Sequence, residues 1–309
     1  MKVVTFAGRS GIRGYKDGKR GESLFNKPRG ICLDKEGNLL VADSYNHCIR
    51  KINISNGIVT TIAGNGKSGF RDGNSLSEAK FNGPCNLVFY NDIIYVADTW
   101  NHAIRKIYNG IVSTIATGFS CPPHGITIDN NGNILVADTR NNCIKRIDEN
   151  GNIYTFPKSI PTPMGNKLDS DGMIYICTDD GIISYWNEDD WKILINTSNA
   201  INDFVIDSMK NIWIVEHFSH CIMKMNNNGE IEIFAGSEGK SGNEDGLLLE
   251  SKFYHPWGIA MNNSSIYISD SWNSTIRKIN LLGLWNKGKI LELNFNLLFF
   301  QKIIIYFLH

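Results

Sequence analysis

Carboxylates recur in one column of this chain, at Asp43, Asp98, Asp138, Glu216 and Asp270, with Thr178 in the same place of one further copy. Asn-His pairs follow two of them, Asn46-His47 and Asn101-His102. A carboxylate near an imidazole is material for general acid–base catalysis. Repetition argues against that use here. A reaction needs one constellation, whereas a residue type recurring in unit after unit serves the unit. Asp43 is expected to cap its own turn through side chain–backbone hydrogen bonds, and His47 to bridge to the adjoining strand. No catalytic residue is assigned.

Metal chemistry fares no better. Asp34-Lys35-Glu36-Gly37-Asn38, Asp129-Asn130-Asn131-Gly132-Asn133 and Asp169-Ser170-Asp171-Gly172 superficially look like calcium loops. Each lacks the glutamate that closes an EF-hand loop, and each sits where a hairpin turn is required. Zinc needs three or four convergent ligands, whereas His124 and His255 fall in different columns. Neither a metal nor any other cofactor is expected. The seven cysteines include no CxxC pair, which fits free thiols in a reducing compartment. Cys48, Cys143 and Cys221 share a column in alternate units, too far apart to bridge, and read as small packing residues.

The elements that must position these residues emerge from the spacing. Along the column the steps are 55, 40, 40, 38 and 54 residues, so the unit is about 40 residues with two insertions of about fifteen, the period of propeller blades. Gly30–Ile52, Asn86–Ile107, Gly125–Ile147, Asp203–Met225 and Gly258–Ile279 are good copies, and a worn one starts at Gly165, making six. Within the first, Ile31–Asp34, Leu39–Ala42, Cys48–Ile52 and Val59–Ala63 read as strands A to D, rich in β-branched residues and without helical periodicity. Lys35 to Asn38 is the A–B hairpin turn. The sixth copy lacks a fourth strand, while Val3-Val4-Thr5-Phe6-Ala7-Gly8 matches Val59-Thr60-Thr61-Ile62-Ala63-Gly64. The expected fold is all-β, a six-bladed β-propeller over residues 1–280 in which the N-terminal strand completes the last blade and removes the open edge.

Val41-Ala42-Asp43-Ser44-Tyr45-Asn46-His47-Cys48-Ile49 and Val96-Ala97-Asp98-Thr99-Trp100-Asn101-His102-Ala103-Ile104 resemble the NHL repeat family, as do the unit openings Pro28-Arg29-Gly30-Ile31 and Pro256-Trp257-Gly258-Ile259. The resemblance covers about residues 1–280 and weakens in the fourth unit, which has Thr178 for Asp and no Asn-His pair. It implies a propeller that mediates protein–protein contacts. Some members bind RNA on one face, and relatives in the wider six-bladed group are metal-dependent hydrolases or lyases. The fold does not choose among these.

Because strands alternate in direction, the B–C turns and the D-to-next-A loops share one face. Three D–A loops carry a long insertion with a common pattern, Gly11…Asp17-Gly18, Gly66…Asp72-Gly73 and Gly239…Asp245-Gly246. They follow the sixth, first and fifth units, neighbours in a closed ring, and are expected to form one raised sector with Phe25, Phe81 and Phe253 as anchors. The B–C turns place Tyr45, Trp100, Arg140, Asp180, Phe218 and Trp272 at one position. Aromatics and arginine dominate binding hot spots. The expected function is thus a non-enzymatic scaffold taking a protein partner through Tyr45, Trp100, Arg140, Phe218 and Trp272, with Asp17, Asp72 and Asp245 to one side. An alternative is RNA binding through Arg29, Arg50, Arg105 and Arg140 with the aromatics. A second alternative is a metal-dependent hydrolase or lyase. It requires polar ligands at the strand A ends, which read mainly as Ile, Leu, Val and Phe.

Lysine plus arginine balances aspartate plus glutamate at 31 each, against a general nucleic-acid binder and against DNA in particular. The N-terminus has no apolar signal region, so the cytoplasm is the expected compartment. Residues 281–309 read as a separate hydrophobic tail, an interfacial anchor, a docked strand or a segment foreign to the native protein. Its apolar run is about 14 residues, short of the ~20 that span a bilayer, so a membrane partner is not expected.

Overall fold

The computed structural model describes residues 1–197 and 199–281. Six antiparallel sheets of four main strands each stand around one axis. Blade one comprises Pro28–Leu33, Leu39–Asp43, Cys48–Ile52 and Ile58–Ala63 as strands A to D. Blade two opens at Asn86–Tyr90, blade three at Pro123–Ile128, blade four at Pro163–Leu168, blade five at Ile201–Ile206 and blade six at Pro256–Asn262. The B strands are continuous apolar runs such as Leu39-Leu40-Val41-Ala42, buried on both faces because each blade is covered by a neighbour on either side.

The A strands line the axis, each packed on the next, and the last lies against the first. Repeat-opening glycines permit that approach. A Cβ on Gly258 would stand 2.4 Å from the Arg29 carbonyl oxygen, and one on Gly30 would stand 2.6 Å from Asn86 Cα. Closure is as the sequence implied. Lys2–Ala7 is the outer strand of blade six, pairing Val3 with Ile279 and Thr5 with Arg277. The core is correspondingly divided into one apolar cluster per blade interface, including Val3 with Trp213 and Ile268 between blades five and six, and Phe6 with Leu39 and Val41 between six and one.

The three insertions run elsewhere than expected. They descend along the outer edge as straps and do not rise from the loop-bearing face. Gly18–Lys19 pairs with Ile58 and Val59 as a fifth strand on blade one; Gly73–Asn74 does so on blade two and Gly246–Leu247 on blade six. Arg20 N–H reaches the Gly57 carbonyl at the far end of the blade. The physical reason is the outer strand's unpaired backbone, which a passing segment can satisfy. Gly18 and Gly73 take φ of +127° and +124° at the turn into the strap, a region that excludes side chains with a Cβ. Phe25, Phe81 and Phe253 are fully buried at the strap ends, as anticipated. Of the C-terminal tail, Leu281 is buried in the blade five–six cluster; the remainder lies outside the described residues.

Candidate binding face

Each strap is locked by a buried arginine between two aspartates. Arg50 donates to Asp43 at 2.7 Å and to Asp17 at 2.6 Å. Arg105 joins Asp98 and Asp72 at 2.7 and 2.6 Å, and Arg277 joins Asp270 and Asp245, both at 2.7 Å. The strap aspartate also accepts from the outer strand, as Asp72 does from Thr114 N–H and Oγ1. These arginines sit on strand C only in the strapped blades. At the matching register, opposite Val136, Ile176 and Ile214, the others have Lys145, Ser184 and Met223. Two expectations are corrected. Asp43 does not cap its own turn; it accepts from Asn26 N–H, the Asn46 side chain and Arg50. Arg50 and Arg105, assigned phosphate contacts in the RNA alternative, are fully buried and paired, so they are withdrawn from any nucleic acid. His47 does bridge outward, its Nδ1 accepting from Gly83 N–H in the next blade's opening loop.

In blades one, two, three and six the B–C turn is a single 3-10 turn closed by a left-handed residue at His47, His102, Asn142 and Ser274. They hold the aromatic column on the loop-bearing face. Phe218 is 60% exposed, Trp100 38% and Trp272 37%; Tyr45 is half-buried and Arg140 exposed. Tyr45 meets Trp100 edge-to-face at 5.2 Å. The Lys27 ammonium lies 4.4 Å from both the Tyr45 and Trp272 rings, a double cation–π contact. Trp272 continues to His255 at 4.9 Å, and His255 to Phe218 at 5.7 Å. Aromatic and imidazole rings, bridged by the Lys27 ammonium between Trp272 and Tyr45, thus run from blade five through six and one to two. Arg140, on blade three, stands apart from that run. Asp17, Asp72 and Asp245 lie on the straps, their side chains about half exposed.

At the base of this face, around the channel mouth, is a ring that the sequence reading missed. Residues that follow the opening prolines form it: Arg29, Cys85, His124 and Trp257 touch one another, and Met164 and Asn202 hold the same column in blades four and five. The strand A ends are therefore mixed and partly polar, not the aliphatic set expected. The aliphatic column lies two residues further in, at Ile31, Leu87, Ile126 and Ile259. Arg29 stacks 4.1 Å over Trp257, which faces His124 across the mouth at 6.4 Å. Arg29 Nη1 stands 3.6 Å from Cys85 Sγ, and Sγ stands 3.8 Å from His124 Nδ1. His217 packs on His255 at 4.3 Å and on Trp257 at 5.3 Å. Burial first, then the neighbouring His255, pushes His217 down to about 4; burial also lowers His220 and His255. This side of the face is therefore apolar and imidazole-rich, with neutral histidines near pH 7. Among the described residues no group of three or more His, Cys, Asp or Glu side chains is gathered to hold a metal ion. No helix among them is long and apolar enough to cross a membrane.

Fold and site together define a closed six-bladed propeller with an aromatic loop-bearing face. The chain carries NHL repeats: the NHL repeat model matches residues 25–52, 121–147 and 253–279. It is 25% identical over 287 residues to Protein SUPPRESSOR OF QUENCHING 1, chloroplastic, of Arabidopsis thaliana, covering 88% of this chain and 21% of that one. It is 39% identical over 95 residues to NHL repeat-containing protein 2 of Homo sapiens, 30% of this chain and 13% of that. The chain therefore spans a minor part of the curated relatives it matches. Among solved structures, an auxiliary nutrient binding protein from Bacteroides thetaiotaomicron superposes with TM-score 0.73 at 17% identity, over 91% of this chain and 77% of that one. Virginiamycin B lyase from Staphylococcus aureus gives 0.61 at 20%, over 83% and 96%. At these identities the likeness is one of fold alone.

Proposed function

We propose that this propeller is a non-enzymatic binding module that takes a protein partner on its loop-bearing face, in the cytoplasm. The single observation that carries the reading is the run Phe218–His255–Trp272–Lys27–Tyr45–Trp100, rings joined across Lys27 and half-exposed along four adjacent blades. Exposed aromatics held rigidly beside cations are what interface hot spots require, since little conformational entropy is lost on docking. Arg140 extends the contact over blade three, and Asp17, Asp72 and Asp245 bound it at the strapped rim. The short share of the curated relatives' length that the chain covers supports a module working beside other segments. Seven free thiols support a reducing compartment.

The test is affinity capture by the immobilised chain against its Trp100→Ala/Trp272→Ala and Phe218→Ala variants, all with matched melting curves. Partner recovery should fall at least about tenfold in the double variant. Undiminished recovery would sink the assignment of this face. Recovery that survives the variants but disappears with ribonuclease and steeply with salt would instead favour RNA.

A further inference from the structure

We propose that Cys85 is a site of oxidative modification: a thiolate held between Arg29 and His124 at the channel mouth, which a small hydroperoxide converts to sulfenic acid. The three side chains come from the A-strand openings of three consecutive blades, and none belongs to the aromatic run proposed to bind a partner. Arg29 makes no ion pair with a carboxylate among the described residues, and its buried Nε has no hydrogen-bond partner. Its nearest acceptor is the Cys85 sulfur, 3.6 Å from Nη1, while His124 Nδ1 approaches from the other side at 3.8 Å. A sulfur flanked by a fixed cation and an imidazole is in the surroundings that favour the thiolate.

The other buried cysteines differ. Burial alone would push the Cys85 thiol up, but Arg29 and then His124 outweigh it and bring it down to about 7. Burial takes Cys32 and Cys221 up to about 12 and also raises Cys48 and Cys177. Cys85 itself is buried, yet Arg29 and His124 are only partly so. Side-chain rotation at the mouth therefore supplies the route for a reagent the size of hydrogen peroxide.

In the reaction the thiolate attacks one peroxide oxygen; the S–O bond forms as the O–O bond breaks. Sulfur is oxidised by two electrons, the peroxide is reduced, and the departing hydroxide takes a proton from solvent.

The experiment exposes the folded chain to hydrogen peroxide, traps sulfenic acid with dimedone, and locates it by peptide mass spectrometry across all seven cysteines. In parallel, iodoacetamide labelling of Cys85 is followed against pH. Cys85 should be trapped at least about tenfold faster than Cys48, Cys177 and Cys221, with a labelling midpoint near 7. Arg29→Met and His124→Phe should each move that midpoint upward, and Cys85→Ser should abolish trapping at this peptide. The proposal is overturned if native Cys85 reacts no faster than the other buried cysteines. It is equally overturned if folded Arg29→Met and His124→Phe both leave the midpoint in place. The wild-type rate comparison decides even where a variant fails to fold. Partner capture is a separate readout, so failure here leaves the binding face untouched, and the reverse holds too.

Discussion

Replacing Arg105 with methionine tests whether the straps are locked by buried charge or merely lie along the rim. The guanidinium donates from Nη1 to Asp98 at 2.7 Å and to the Lys80 carbonyl at 3.1 Å. From Nη2 it donates to the Arg71 carbonyl at 2.8 Å and to Asp72 at 2.6 Å. Methionine fills the stem's space but removes all four contacts. The Asp98 carboxylate then stays buried with the Asn82 N–H and the Asn101 side chain as its only donors. Stranding one member of a buried pair costs about 3–5 kcal/mol. Asp72→Asn, by contrast, removes a half-exposed charge and should cost about 1 kcal/mol or less. Adding Asp98→Asn to Arg105→Met should return part of the loss, since the stranded charge is gone. Burial already pushes Asp98 up to about 6 with the arginine present. Without it the carboxyl titrates higher still, so the deficit of Arg105→Met should shrink as pH falls through that range. Guanidinium unfolding followed by tryptophan fluorescence measures all four proteins. A loss under about 1 kcal/mol for Arg105→Met would refute the lock.

Other outcomes follow from the same geometry. Deleting residues 1–8 takes away the outer strand of blade six with buried Val3 and Phe6; cooperative unfolding should be lost or the stability should drop by more than about 4 kcal/mol, read by calorimetry. Gly258→Ala drives a Cβ against the Arg29 carbonyl and should cost about 1–3 kcal/mol, seen as a lowered melting temperature. His217 stays neutral in the fold to about pH 4, whereas the unfolded chain takes up its proton below about 6.5. Its contribution is therefore complete above 6.5 and is lost as pH falls toward 4, by up to about 3 kcal/mol. Relative to wild type, His217→Phe should gain stability steadily across that interval; parallel curves would show that His217 is not the titrating group. Comparing the two proteins cancels Asp43, Asp98 and Asp270, whose raised carboxyls act in the opposite sense.

Much of the architecture was legible because each blade repeats a local pattern. Apolar B strands, hairpin turns and the Asp column recur about every 40 residues, and the unpaired Val3–Ala7 strand had one place to go. The aromatic column was legible for the same reason, since 3-10 turns closed by a left-handed residue put Tyr45, Trp100 and Trp272 at equivalent points. The straps were misplaced although a cue was present. Arg50, Arg105 and Arg277 occur on strand C only where an Asp-Gly insertion exists, which ties each insertion to its blade's flank. Reading Arg50 and Arg105 as phosphate ligands hid the coupling.

The sequence by itself determined the number of blades, their strand order and the closure of the ring, since these follow from backbone pairing and alternate burial within each unit. Only the tertiary structure decided the channel mouth. Arg, Cys, His, Met, Asn and Trp follow one another in a single column there, with no repeated type to draw notice. Arg29, Cys85, His124 and Trp257 become neighbours solely because six A strands converge on one axis. The low-dielectric mouth then makes their mutual charges, rather than their place in the repeat, the determinant of their chemistry.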